Sequence, residues 1–182
     1  MKKLLLILIC LFVYSCEDDD GLSDEEFLED IKNSQSDDLD GKKLLCYQVS
    51  EKGSTNKKSP LIFEFLSNFS VSVHFGWYFQ DEPTTKKGRY KNTLEQITIK
   101  LFNNVSYSNY IIDRQNLQIN YFDSGRVTVV PSPDGKGGIF RIKYYECNLF
   151  WEDTTIFFKK HYDKVKKEKI DYINKLKSKK KI

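Results

Sequence analysis

The sequence predicts a mainly β protein, an antiparallel meander closing into a barrel of about eight strands, followed by an amphipathic helix. Three observations carry this. From Gly41 onward apolar and polar residues alternate strictly, the period of half-buried strands. The runs are short, and polar turn residues with no helical period separate them, which argues an up-and-down meander. Closing the meander into a barrel removes the exposed edges that an open sheet would present.

Charge divides the 182 residues into four blocks. Residues 1–15 sum to +2, residues 16–40 to −11, residues 41–158 to +4 and residues 159–182 to +8, within a net charge of +3. Only the third block has the patterning of a globular core. The domain reading follows: 1–15 signal peptide, 16–40 acidic tether, 41–160 barrel, 161–182 basic amphipathic helix.

At the N-terminus, Met1-Lys2-Lys3 precedes an apolar run from Leu4 to Tyr14 and then Ser15-Cys16. That is a charged region, an apolar region and a small residue at a cleavage point. The run is shorter than the ~20 residues that span a bilayer, so a signal peptide is the better reading than an anchor. Val13-Tyr14-Ser15-Cys16 resembles the lipobox of bacterial lipoproteins, although Tyr14 stands where a small or aliphatic residue is usual. The resemblance implies that Cys16 is lipidated and becomes the first residue of the mature chain. Glu17-Asp18-Asp19-Asp20 follows at once, and acidic residues continue to Asp40 with Lys32 the only base. Such a run cannot bury enough surface to fold, so a solvated tether is expected, with a turn of helix near Glu25 to Ile31. An acidic cluster hard against the lipidated Cys also resembles the surface-export signal of lipoproteins in Bacteroidota-type Gram-negative bacteria. It implies an outer-membrane, cell-surface address; a periplasm-facing protein with a plain spacer is the alternative.

Within the barrel block, Leu61, Phe63 and Phe65 share one face, Ser67-Asn68 makes a tight link, and Phe69, Val71, Val73, Phe75, Trp77 and Phe79 share one face of the next run. These form a hairpin whose register is strongly specified, because a one-residue slip would put every aromatic in water. Further strands are expected at Arg89 to Lys91, Gln96 to Phe102, Asn109 to Asp113, Leu117 to Phe122, Arg126 to Val130 and Ile139 to Glu146, with a last one from Leu149 to Lys159. Pro131 to Gly138 is the clearest loop.

The order of Gly41, Leu61-Ile62-Phe63-Glu64-Phe65, Gly88-Arg89-Tyr90, Asn109-Tyr110-Ile111-Ile112, Asn116-Leu117-Gln118-Ile119 and Ile156-Phe157-Phe158-Lys159-Lys160 resembles the lipocalin-like domains of bacterial lipoproteins over residues 41–160. Where that family often has Trp soon after the opening Gly, this chain has Lys42-Lys43. The resemblance implies an eight-stranded calycin-type barrel that is either filled by side chains or encloses one modest apolar ligand. Phe75, Trp77, Phe79, Tyr107 and Tyr110 are the candidate ligand-binding residues; Trp77, Tyr107 and Tyr110, if exposed at a barrel mouth, would favour binding at that end.

After His161, the residues Tyr162, Val165, Tyr172, Ile173 and Leu176 recur at helical spacing among Lys166, Lys167, Lys169, Lys175 and Lys177. The helix either packs on the barrel wall, meets an anionic lipid surface or acidic partner with its basic face, or contacts the acidic tether. Nucleic acid is not expected, because aromatic residues do not interleave the lysines and the address is outside the cytoplasm.

Cys10 leaves with the signal and Cys16 carries lipid, so Cys46 and Cys147 remain, on strands that closure makes neighbours. In an oxidising compartment the pair is either a disulfide or two small buried thiols. His74 and His161 have no carboxylate or Cys at metal-ligand spacing, so no metal and no cofactor is expected. Asp81-Glu82 and Glu152-Asp153 sit in turns where solvation explains them, and no acid–base dyad is suggested. The function expected is non-catalytic binding: a membrane-anchored envelope lipoprotein whose barrel holds a small apolar ligand, or alternatively a packed-barrel interaction or inhibitory module. Its partners are then the membrane, through lipid on Cys16, and one ligand or protein.

Overall fold

A computed structural model describes residues 27, 29, 31, 38–78, 80–101, 109–119, 129–131 and 139–179. The chain divides into two units, Met1–Asn33 and Ser34–Ile182. In the first, Phe27, Glu29 and Ile31 are helical, within the stretch where a turn of helix is expected. The signal peptide, Cys16 and the Glu17 to Asp20 cluster lie outside the described residues.

The described part of the second unit begins with a turn at residues 38–41, where Gly41 takes a φ of +74°, a conformation that costs glycine little. Nine strands follow among the described residues: β1 (Lys43–Ser50), β2 (Thr55–Leu66), β3 (Ser70–Phe75), β4 (Thr84–Asn92), β5 (Gln96–Leu101), β6 (Asn109–Asp113), β7 (Gln118–Ile119), β8 (Val129–Pro131) and β9 (Ile139–Leu149). All pair antiparallel, in the order β1-β2-β3-β4-β5-β6-β7-β9, and β9 returns to β1, so eight strands close a barrel. β8 pairs with β9 alone, outside that ring. Register shifts in β1 at Cys46/Gln48 and Val49/Ser50 add the bends that closure requires. One helix, α1 (Thr154–Lys179), completes the unit. No helix among the described residues is long and apolar enough to cross a membrane.

Alternation sorts the strand residues into inside and outside. Leu44, Phe63, Phe65, Val71, Val73, Tyr90, Ile97, Ile99, Tyr110, Ile112 and Ile119 form one buried cluster. Their rings meet edge to face, Phe63 with Tyr110 at 5.3 Å and Phe65 with Tyr90 at 5.0 Å, the geometry that the ring quadrupoles favour. Cys46 and Cys147 belong to the same cluster and are bonded to each other. They stand directly opposite on β1 and β9. The Cys147 amide donates to the Leu117 carbonyl instead of to β1, so the pair occupies a non-hydrogen-bonded site. Opposed Cα atoms come closest there, and these two are 4.0 Å apart.

Two domain boundaries move. The barrel takes in Asp38 to Asp40, which the charge pattern assigns to the tether. Leu39 is buried in the core cluster, and Asp38 pairs with Arg114 at 2.8 Å while also accepting from Asn92. Burial tends to raise the Asp38 pKa, but the hydrogen bond and charge of Arg114, with Asn92 and Lys42, pull it below the ordinary value. At the other end, the strand expected from Leu149 to Lys159 is not formed. β9 stops at Leu149 and α1 begins at Thr154, seven residues before the expected helix. Asp153 caps α1, its Oδ1 accepting from the Ile156 amide at 2.9 Å. Phe158, Tyr162 and Val165, spaced i, i+4, i+7, are the buried apolar residues of the helix, and Phe158 and Tyr162 pack with Ile62 on the outside of β2.

Candidate functional site

Of the five residues expected to line a ligand site, the three that are described, Phe75, Trp77 and Tyr110, are not gathered at one place. Phe75 is partly buried against the core, and Trp77, 44% exposed, stacks on it with ring centroids 6.0 Å apart. The cavity beside them measures about 20 Å³, room for one water. Tyr110 is not at the mouth: it is 4% exposed, in contact with Phe63 inside the barrel, because the period of β6 places it on the inward face with Ile112. Phe79 and Tyr107 lie outside the described residues. The upper interior is polar and occupied, with Asn56 Nδ2 donating to Gln48 Oε1 at 3.0 Å and Gln48 Nε2 to Tyr145 Oη at 3.2 Å.

A sizeable concavity lies on the outside. A groove of about 620 Å³ runs along the seam where α1 lies against the wall. Glu64 of β2, His74 of β3 and Thr85 of β4 contribute to its lining from the sheet, Thr154, Phe158 and Tyr162 from α1, and Asp81 and Glu82 from the loop before β4. Its volume falls within the range of about 300–1,000 Å³ typical of small-molecule sites. Gly76 permits the seam to form. A Cβ there would stand 2.7 Å from Pro60 Cγ and 2.8 Å from Phe158 Cε1, so any side chain would push the helix off the wall.

A polar network follows from outward-facing residues of the hairpin. Lys43 Nζ lies 3.2 Å from Glu64 Oε1 and donates to Thr154 Oγ1 at 3.3 Å, tying β1, β2 and the helix start together. Glu64 Oε2 is 3.3 Å from His74 Nε2. A carboxylate only accepts, so Nε2 carries the proton, and Nδ1 accepts from the Thr85 hydroxyl at 2.9 Å. Burial holds His74 below its ordinary pKa, Glu64 opposing part of that shift and Lys43 adding to it. The imidazole is therefore neutral at pH 7. Among the described residues no three His, Cys, Asp or Glu side chains converge as a metal ion would need.

Sequence reasoning places His74 on the polar face of its strand and gives it no carboxylate partner at metal-ligand spacing. Glu64 is that partner in space. The pairing of Ile62 with His74 and Glu64 with Ser72 puts the two side chains diagonally adjacent on the outer face. The signal was present in the hairpin's alternation, which sets both residues opposite the phenylalanines. His161, expected at the end of the last strand, is on α1, where it stacks on Phe157 with centroids 6.1 Å apart and donates from Nε2 to the Lys58 carbonyl at 3.2 Å.

Past Val165 the same helical face continues with a different environment. Tyr172, Ile173 and Leu176 are exposed, as is Ile170 at its margin, and Lys169 reaches the Tyr78 carbonyl at 3.0 Å, its ammonium 4.8 Å from the centre of the Tyr78 ring. Searches against family models, curated proteins and solved structures found no match to this chain.

Proposed function

We propose that this protein is a cell-envelope lipoprotein, anchored through Cys16, whose barrel is a packed scaffold that binds its partner on the outer wall. The observation that carries this is the packed core among the described residues. The described inward side chains, Leu39 through Cys147, form one buried cluster, and the cavity at Phe75 and Trp77 has room for about one water. A lipocalin-like barrel that carried an apolar ligand would need several hundred Å³ in that place. The outer seam has that volume, together with a fixed polar network. The lipobox-like Val13-Tyr14-Ser15-Cys16 and the acidic residues after it support the anchor and the surface address.

Two measurements test the reading. Titrating the purified protein with dodecanoate and with an environment-sensitive apolar dye should give no saturable binding. One-to-one binding would restore the ligand carrier. For the anchor, Cys16→Ala should move the protein from the membrane fraction to the soluble one, and full retention in the membrane would remove the lipoprotein reading.

A further inference from the structure

The groove along the α1 seam has a polar group that the fold leaves unanswered. Tyr162 is 9% exposed, and its Oη is buried without a hydrogen-bond partner among the described residues. Leaving such a hydroxyl unpaired costs stability that a phenylalanine would not. Burial raises its pKa and the nearby negative charge of Asp81 raises it further, so the group faces a carboxylate field while it stays neutral.

Charge at the groove decides what fits. Glu64, Asp81, Glu82 and Asp153 line it, against Lys43 and Lys159. Lys43 is already matched to Glu64, and Asp153 is engaged in capping the helix. Asp81 and Glu82 are exposed and form no ion pair among the described residues. Lys159 is likewise exposed and forms no ion pair among the described residues, so Asp81 and Glu82 outnumber it two to one and an anion entering here would meet the excess carboxylate charge. A cation bearing N–H groups would neutralise them and donate to the oxygen that lacks a partner, and the rings of Phe158 and Tyr162 offer an apolar and cation–π wall for its stem.

From this we infer that the seam groove binds an alkyl ammonium or guanidinium group, its charge held by Asp81 and Glu82 and an N–H donated to Tyr162 Oη. The site rests on the reading that the outer wall is the binding surface. Its ligand is either a free amine or the basic side chain of a partner protein, which present the same group.

The test is side-chain NMR of the folded protein, following Tyr162 and His74 during titration with n-butylammonium, n-butylguanidinium, tetramethylammonium and butyrate. The first two should produce saturable shifts. Tetramethylammonium has the charge but no N–H, so it should bind at least threefold more weakly, and butyrate should not bind. Asp81→Asn with Glu82→Gln, both on an exposed loop, should lower n-butylammonium affinity about tenfold. Tyr162→Phe should lower it about threefold while leaving thermal stability equal or higher, a pairing of results that a merely structural tyrosine would not give. Tighter binding of the capped peptide Ala-Ala-Lys-Ala-Ala than of n-butylammonium identifies a protein side chain as the source, and equal or weaker binding a free amine. Absence of saturable shifts with either cation, or affinity unchanged by the Asp81 and Glu82 substitutions, overturns the inference. Dodecanoate binding inside the barrel would instead overturn the outer-wall reading on which it rests, so the two failures are distinguishable.

Discussion

The two halves of α1 carry the same apolar face and meet different surroundings. In the first half, Phe158, Tyr162 and Val165 are buried, and the first two sit on Ile62 of the wall. In the second, Tyr172, Ile173 and Leu176 continue that face with 44–55% of each residue exposed. The helical period alone does not say which half is covered. Contact is decided by what the wall offers: an apolar outward residue at Ile62, a glycine at Gly76 that lets Phe158 approach, and a cap at Asp153 that starts the helix where the wall begins.

Substitutions sharpen the contrast, and the largest effect belongs to the docked half. Phe158→Ala removes a ring that is 2% exposed and should cost about 3–5 kcal/mol in denaturant unfolding. For comparison with the barrel interior, replacing Cys46 and Cys147 by Ser should cost about 2–5 kcal/mol, since the bond closes a loop between residues 101 apart. Gly76→Ala, which drives a methyl into Pro60 and Phe158, should cost about 1–3 kcal/mol. Asp153→Ala should cost about 1 kcal/mol through the lost cap. In the exposed half, Leu176→Ser should change stability by no more than about 0.5 kcal/mol. A loss at Leu176 comparable with that at Phe158 would mean that the second half is covered after all.

Acidity probes the docked half separately. His74 and His161 are both held below their ordinary pKa of about 6.5, chiefly by burial. The unfolded chain therefore binds protons more readily than the folded one. Stability from these groups is full above about 6.5 and is lost as pH falls through that value toward the folded pKa. His74→Gln should flatten the dependence of the unfolding midpoint between pH 7 and pH 5, while substitutions at Ile173 or Leu176 should leave it unchanged.

Much of the barrel was legible because its signal is local. The alternation from Leu61 to Phe75 sets inside and outside correctly, and Ser67-Asn68 marks the turn, where Asn68 and Phe69 take φ of 58° and 54°. Trp77 departs from the pattern because the strand ends at Phe75: the Gly76 amide still donates in register to the Pro60 carbonyl, but Pro60 has no N–H to return the bond. The end of the barrel was misread for a physical reason. Ile156-Phe157-Phe158 is a consecutive apolar run that suits a buried strand as well as a helix facing a wall, and the Asp153 cap decides between them. Asp38 looks like one more tether charge until Arg114, 76 residues away, is brought to it. The groove was out of reach for the same reason, since it joins four strands, the loop before β4 and a helix that only the closed barrel assembles.

The central claim is that the inside of this barrel is full and its working surface is outside. Methyl relaxation by dissolved dioxygen tests it most directly, because dioxygen reaches exposed methyls and also enters hollow apolar interiors. The inward methyls of Ile97, Ile99, Ile112 and Ile119, all 2% exposed or less, should relax far less than those of Ile170 and Ile173, each 49% exposed. Stronger relaxation of the four inward isoleucines than of the two outward ones would reveal an open lumen and contradict the account.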